Sequence, residues 1–504
     1  MDTTAQKVWN QAQQQANSGR RNVTIDPITR LEGHGKIEIF LNDKGNVDRA
    51  YLQIPELRGF EVFCQGRPSE DMPQLTSRIC GVCPTAHHMA ATKALDDLYG
   101  VDCHPVGRKI RELVYNAFML EDHALHVYVL GGPDFIVGPD APKELRNIVG
   151  VIGKVGLDVG KKVINMRRRL REIINYAGGK VIHPVLGLPG GVAKGISASE
   201  LPKLKEIAKE GLEFAKFTLQ VFHDIVLKND AYVKLITSDN FTHKTHYMGL
   251  VDKNNKVNFY DGDMRVVDSD GKEQSKFPVQ KYLENISEHV EPWSYIKFPF
   301  LKKVGWTGFT EGNSSGVYAV APMARLNAAD GMATPEAQKA YEEYFKVLGG
   351  KPVHHTLANH WARVIEMLQA AERLVELVND PQIISGEFRN IPIKTPKAGF
   401  GVVEAPRGTL IHHYETDEKG MISKVNLIVS TTNNSARIAM SVDKAARGLI
   451  KEGVVNDGLL NMVEMAFRAY DPCFGCATHT LPGEMPMVVT LRDLKGGVIR
   501  EIRR

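Results

Sequence analysis

Two pairs of cysteines stand near opposite ends of the chain, each written Cys-x-x-Cys: Cys80/Cys83 in Arg78-Ile79-Cys80-Gly81-Val82-Cys83-Pro84 and Cys473/Cys476 in Asp471-Pro472-Cys473-Phe474-Gly475-Cys476-Ala477-Thr478-His479. A glycine inside each pair lets the backbone turn so that both sulfurs face one point. Four thiolates converging on one point make a soft metal site. Spacing alone leaves structural zinc, closed by four cysteines, and a redox-active metal equally open. A catalytic dithiol fits less well, because there are two such pairs and neither lies in a thioredoxin-like βαβ pattern. Cys64 and Cys103 have no metal-like neighbours and read as ordinary thiols.

The elements that must position these pairs are mainly helical. Apolar residues recur at helical spacing over about 106–131, 142–177, 199–228, 334–348, 355–380 and 457–470. Residues 22–57 alternate polar and apolar around Asn42-Asp43-Lys44-Gly45 and predict a hairpin; 399–434 reads as strands around Pro406-Arg407-Gly408. Residues 229–330 mix short strands with turns, and the Gly- and Pro-rich stretch 178–195 must be loop. The fold class expected is therefore α+β, mainly α, with a central helical bundle and peripheral β-hairpins. Because the cysteine pairs bracket almost the whole chain, 22–479 is expected to form one interwoven domain. Residues 1–21 form an N-terminal arm and 480–504 a C-terminal extension that alternates like a hairpin around Lys495-Gly496-Gly497.

The whole-chain balance narrows the function classes. The 504 residues carry 63 Lys+Arg against 59 Asp+Glu, with 43% hydrophobic and 24% charged residues. That profile excludes a disordered chain and gives no basic footprint for nucleic acid. The longest apolar stretch, 113–130, is interrupted by Glu121, Asp122, His123 and His126, so no membrane span is expected. The polar, Gln-rich N-terminus has no signal-peptide core, which makes the cytoplasm the expected compartment.

Read as whole strings, the two cysteine motifs resemble the signatures of nickel–iron hydrogenase large subunits. The resemblance continues in Asp26-Pro27-Ile28-Thr29-Arg30-Leu31-Glu32-Gly33-His34, in Arg58-Gly59-Phe60-Glu61, in Asp122-His123 with His126, in Gly178-Gly179-Lys180 with His183-Pro184, and in Glu404-Ala405-Pro406-Arg407-Gly408. It implies a fold related to a quinone-site subunit of respiratory complex I, and reversible heterolytic activation of H2. It implies a nickel held by all four thiolates, Cys80 and Cys473 terminal and Cys83 and Cys476 bridging to an iron that carries CO and cyanide. Carried over by motif position, Glu32 would accept the proton. Arg407 would hang over the metals and donate to cyanide, with a direct base role secondary, and Asp122 and Asp471 would be its carboxylate neighbours. His87, four residues after Cys83, would lie near the bridging sulfur. Glu61 and His479 would hold a magnesium ion or a similar cation.

The chain departs from the family in Ser430-Thr431-Thr432-Asn433-Asn434, where many relatives read Pro-Ser/Thr-Thr-Trp-Asn. Thr431 remains placed to donate to a cyanide, and the departure looks like the soluble, cofactor-coupled or heterodisulfide-reductase-linked branches. With four cysteines spent on the metals, the two that remain cannot hold an iron–sulfur relay. Electrons must leave through another polypeptide. This agrees with the family's iron–sulfur small subunit, beyond which further electron-transfer subunits are expected. The resemblance also implies nickel-insertion factors and a maturation peptidase that removes the tail after His479. Two rival readings are a metal-free scaffold subunit like that of complex I and a structural zinc protein.

Overall fold

The computed structural model describes residues 22–392 and 394–478, and the backbone of 488–492 and 498–503. Ten helices build most of it: α1 (Pro84–Leu98), α2 (Pro105–Leu125), α3 (Ile148–Val155), α4 (Leu157–Gly178), α5 (Leu201–Phe222), α6 (Pro322–Ala328), α7 (Pro335–Val347), α8 (Asn359–Asn379), α9 (Ser435–Leu449) and α10 (Asp457–Arg468). Helices α1, α2, α5, α6 and α7 open on a proline within the first two positions, where the missing N–H costs nothing. Helix α8 is buried on nearly every side and forms the axis of the bundle, packed on α2 and α5, while α2 in turn packs on α4. No helix among the described residues is long and apolar enough to cross a membrane.

The sheets are small and sit around the bundle. Strands β1 (Asn22–Ile25), β2 (Lys36–Leu41) and β3 (Val47–Gln53) form an antiparallel sheet in that order. A second sheet runs Tyr318–Ala319, His246–Val251, Asp263–Val267, Glu273–Phe277, its first pairing parallel. The third, β4 (Ala398–Ala405), β5 (Gly408–Thr416) and β6 (Ile422–Ile428), is an antiparallel meander. Strand β4 lies directly on α1, and this is possible because Gly399 and Gly401 present no side chain there. A Cβ at either would run into the carbonyls of Ala94 and Ala90. The cysteine-bearing start of α1 is thereby fixed against the β4–β5 turn that carries Arg407.

The pattern-based expectations differ from the structure in detail. The 22–57 hairpin is a three-stranded sheet, because 22–25 pairs as well. The helix expected over 142–177 is broken at Gly156, whose φ of 91° ends α3 and lets α4 start in a new direction. Helix α9 follows β6 after a single helical turn at Ser430–Asn433, a turn the strand pattern of 399–434 does not announce. In the tail, Val488–Arg492 pairs antiparallel with Val498–Arg503, in keeping with the alternation of the sequence there.

Candidate metal centre

Cys80 sits in the turn before α1, and Cys83 immediately precedes its Pro84. Cys473 and Cys476 flank the start of a helical turn, Phe474–Ala477. The N-terminal loop joins the two halves. Glu32 donates its N–H to the carbonyl of Pro472 at 3.3 Å, and its own carbonyl accepts from Phe474 N at 2.9 Å. Gly33, at φ 86°, passes so close to Gly475 that any side chain would strike the backbone there.

The four sulfurs are buried and their ligand atoms lie within 4.8 Å of one another. Cys80 and Cys473 are 3.2 Å apart, Cys83 and Cys476 3.7 Å, and Cys473 and Cys476 2.7 Å. Two backbone amides, Val82 and Cys83, point at the Cys80 sulfur from 3.3 and 3.0 Å. Burial opposes ionisation of Cys80, but its neighbouring thiols and Arg407 outweigh burial and hold it well below the usual thiol range. Burial and the other sulfurs push Cys473 and Cys476 well above that range. The protein alone thus supports one thiolate readily and resists four. A bound cation would lift that resistance, since a coordinating thiol is deprotonated outright. The donor set fits a soft metal centre.

Polar groups surround this cluster in a way a closed structural zinc site does not require. Glu32 Oε2 accepts from the Cys473 thiol at 2.8 Å and from Gly475 N at 3.1 Å. Burial, and next the negative charge at Cys80, raise the Glu32 carboxyl above its ordinary value. Arg407 emerges from the β4–β5 turn, buried. It donates to Asp122 Oδ2 at 3.2 Å, and its Nη2 lies 3.1 Å from Asp122 Oδ1 and 3.0 Å from Asp471 Oδ2. Burial pushes Asp122 up to about 7 against the pull of Arg407. Asp471 resists burial and is held well below the carboxylate range by Arg407 and His126. Its φ of 55° is left-handed, a conformation that aspartate tolerates better than most residues.

Thr431 begins the helical turn after β6, and its Oγ1 accepts from Cys473 N at 2.9 Å. His87 is buried on α1 with Nδ1 3.1 Å from His412 Nε2, a partner that no sequence motif announces. Glu61 is buried and accepts from Leu427 N at 2.7 Å. His479 lies outside the described residues, although Arg58 N bonds to the carbonyl of Thr478 at 2.7 Å and so brings the Glu61 turn beside this end of the chain. Cys64 is buried and Cys103 half-buried; burial pushes each thiol up to about 11, as ordinary thiols. Sequence reasoning misses Arg325, Glu366, Arg363 and His360, buried polar residues near the cluster. None of them stands in a motif with its partners.

Comparison with known proteins agrees with this geometry. Residues 58–144 and 251–479 match the nickel-dependent hydrogenase family, and 22–57 match a HoxL-like family. The chain is 49% identical over 484 residues to the iron-sulfur subunit of the F420-non-reducing hydrogenase of Archaeoglobus profundus, covering 96% of this chain and 99% of that protein. It is 38% identical over 503 residues to the NAD-reducing hydrogenase HoxS subunit beta of Cupriavidus necator, covering 96% and 100%. Among solved structures, an NAD+-reducing [NiFe]-hydrogenase in the H2-reduced state superposes with a TM-score of 0.85 at 38% identity, covering 91% of this chain and 99% of the other. The four converging cysteines belong to a nickel site rather than to a zinc protein or a metal-free scaffold, and the chain belongs to the nickel-dependent hydrogenase family as a large, catalytic subunit.

Proposed function

We propose that this subunit splits H2 reversibly into two protons and two electrons, with Glu32 taking up the proton and Arg407 shaping the hydrogen pocket. The observation that carries the reading is the Cys473 thiol donating to Glu32 beside three other buried cysteines. When bound through Cys80, Cys83, Cys473 and Cys476, a nickel–iron centre with CO and cyanide on the iron supplies the soft, electron-accepting site at which H2 is polarised. The chain's own residues do the rest. A proton held at the Cys473 sulfur passes to Glu32 Oε2 along their hydrogen bond. The raised affinity of the Glu32 carboxyl for protons, caused by burial, suits it to receive that proton and release it again.

Arg407 keeps its charge under the two aspartates and acts as a fixed donor over the cluster, not as a proton carrier. Asp122 and Asp471 hold its guanidinium flat between them. Thr431, whose oxygen already accepts from Cys473 N, retains its own proton to donate to a cyanide. His87 with His412 steadies the start of α1 behind Cys83. Glu61 and His479 are read as ligands of a magnesium ion under the C-terminal segment, supported by the Arg58–Thr478 bond. Removal of residues 480–504 during maturation then closes that segment over the metals.

Electrons leave through an iron–sulfur partner subunit, then through further electron-transfer subunits. Cys64 and Cys103, the remaining cysteines, form no cluster among the described residues, and the relatives are named as subunits of hydrogenases. Metal analysis of the purified complex, together with H2/D2O exchange, tests the reading. Nickel and iron with exchange activity are expected. Zinc alone, or a metal-free and inactive preparation of intact complex, would overturn it.

A further inference from the structure

Arg325 on α6 is fully buried, and each of its five N–H donors meets its own acceptor. Nε reaches Glu366 Oε1 at 2.7 Å and Nη2 reaches Glu366 Oε2 at 2.5 Å. Nη1 bonds Glu404 Oε2 at 2.9 Å and the carbonyl of Ala405 at 2.8 Å, and Nη2 also bonds the carbonyl of Pro406 at 3.2 Å. Three consecutive residues, 404 to 406, are thus held by one side chain, and the next residue is Arg407. On the far side, Glu366 Oε2 lies 2.9 Å from Nε2 of His123, the residue after Asp122 on α2. Glu404 is tied again by Leu250 N and by the Thr409 hydroxyl, both at 2.8 Å.

We propose that Arg325 is a positioning residue for the hydrogen site, fixing through these five bonds both the backbone that carries Arg407 and the helix that carries Asp122. This rests on the role of Arg407 proposed above. Buried ion pairs are weak contributors to net stability compared with apolar residues of the same volume. An arginine with all five donors used, at the root of the turn that aims another arginine, is therefore better explained by geometry than by stability. Lysine offers three donors from a single point and cannot serve Glu366, Glu404 and two carbonyls together.

The test is a double-mutant cycle on the purified holoenzyme complex, with Arg325→Lys, Arg407→Lys and both together. Nickel content, H2/D2O exchange and the infrared bands of the metal-bound cyanide are measured. Nickel at the wild-type level, exchange reduced by at least about 10-fold, and bands displaced in the same direction as in Arg407→Lys are expected for Arg325→Lys, since small misplacement of a site group costs up to about 100-fold. The double variant should be no slower than Arg407→Lys alone, because the two act through one group. Wild-type bands and exchange in Arg325→Lys, or losses that multiply in the double variant, would overturn the inference. If Arg325→Lys does not assemble, Glu366→Gln decides, since it keeps the shape and two hydrogen-bonding atoms. Displaced bands support the inference, and unmoved bands overturn it. An Arg407→Lys enzyme that behaves as wild type would remove the proposed role of Arg407 and this inference with it. A wild-type-like Arg325→Lys beside a disabled Arg407→Lys removes only this inference.

Discussion

The Cys473 thiol donates to Glu32 Oε2 at 2.8 Å, although 441 residues separate them in sequence. The carboxylate is held there by the main chain as well, through the bonds of residue 32 to Pro472 and Phe474. Glu32→Gln keeps the shape and a hydrogen bond but removes the proton acceptor. H2/D2O exchange should fall by about 10²–10⁴-fold, with nickel content unchanged. Exchange at the wild-type rate would show that the proton leaves by another route.

Cys473→Ser replaces a soft sulfur by a hard hydroxyl at the point where three other sulfurs converge. Purified Cys473→Ser complex should lose nickel and H2 uptake together, and Cys80→Ser should behave alike. Near-normal uptake with serine at 473 would remove the nickel assignment.

Asp134 anchors the loop that carries Glu32. It is buried, receives Arg30 at 2.5 Å, Arg468 at 2.8 Å and Asn461 Nδ2 at 3.1 Å, and is held below its ordinary value of 3.8, burial being outweighed by the two guanidiniums. Asp134→Asn leaves two guanidiniums without their shared counter-charge and should cost about 3–5 kcal/mol at pH 7. The sign with pH follows from the lowered value. Above pH 3.8 both folded and unfolded carboxyls are ionised and the full advantage of aspartate is present. Below it the unfolded chain takes up the proton first, and the advantage shrinks until the folded carboxyl is protonated too. Urea unfolding of both proteins between pH 3 and 7 checks this. A difference that stays constant across the range would contradict it.

The C-terminal residues 480–504 should be absent from mature enzyme. Intact mass of nickel-loaded, active complex is expected to place the new terminus at His479. A chain ending at Arg504 with full nickel occupancy and full activity would show that the tail is no maturation gate.

The cluster is legible because each half of it is written locally: two cysteines, a glycine between them and a proline close by. Asp122 and Asp471 can be placed beside Arg407 only through family motifs, since 285 residues separate Asp122 from Arg407 and nothing in the spacing joins them. Arg325 is invisible for the same reason. Its partners Glu366 and Glu404 stand 41 and 79 residues away, in segments that read as plain helix and strand. Helix α9 escapes the pattern because the strands of 399–434 hand over to it within one turn, and α3 and α4 read as one helix because apolar spacing continues through Gly156. Tertiary partners, not local propensity, decide these places.

Cys80 and Cys473 touch across 393 residues, and this has a consequence for synthesis. A ribosome adds about 5–20 residues per second, so the first pair waits roughly 20–80 s before the second is made. Any chain cut short by stalling, degradation or a premature stop lacks half of the thiolates and the strand-like contact that seats Glu32. Metal loading therefore doubles as a proofreading step: only a polypeptide translated almost to its last codon can be charged.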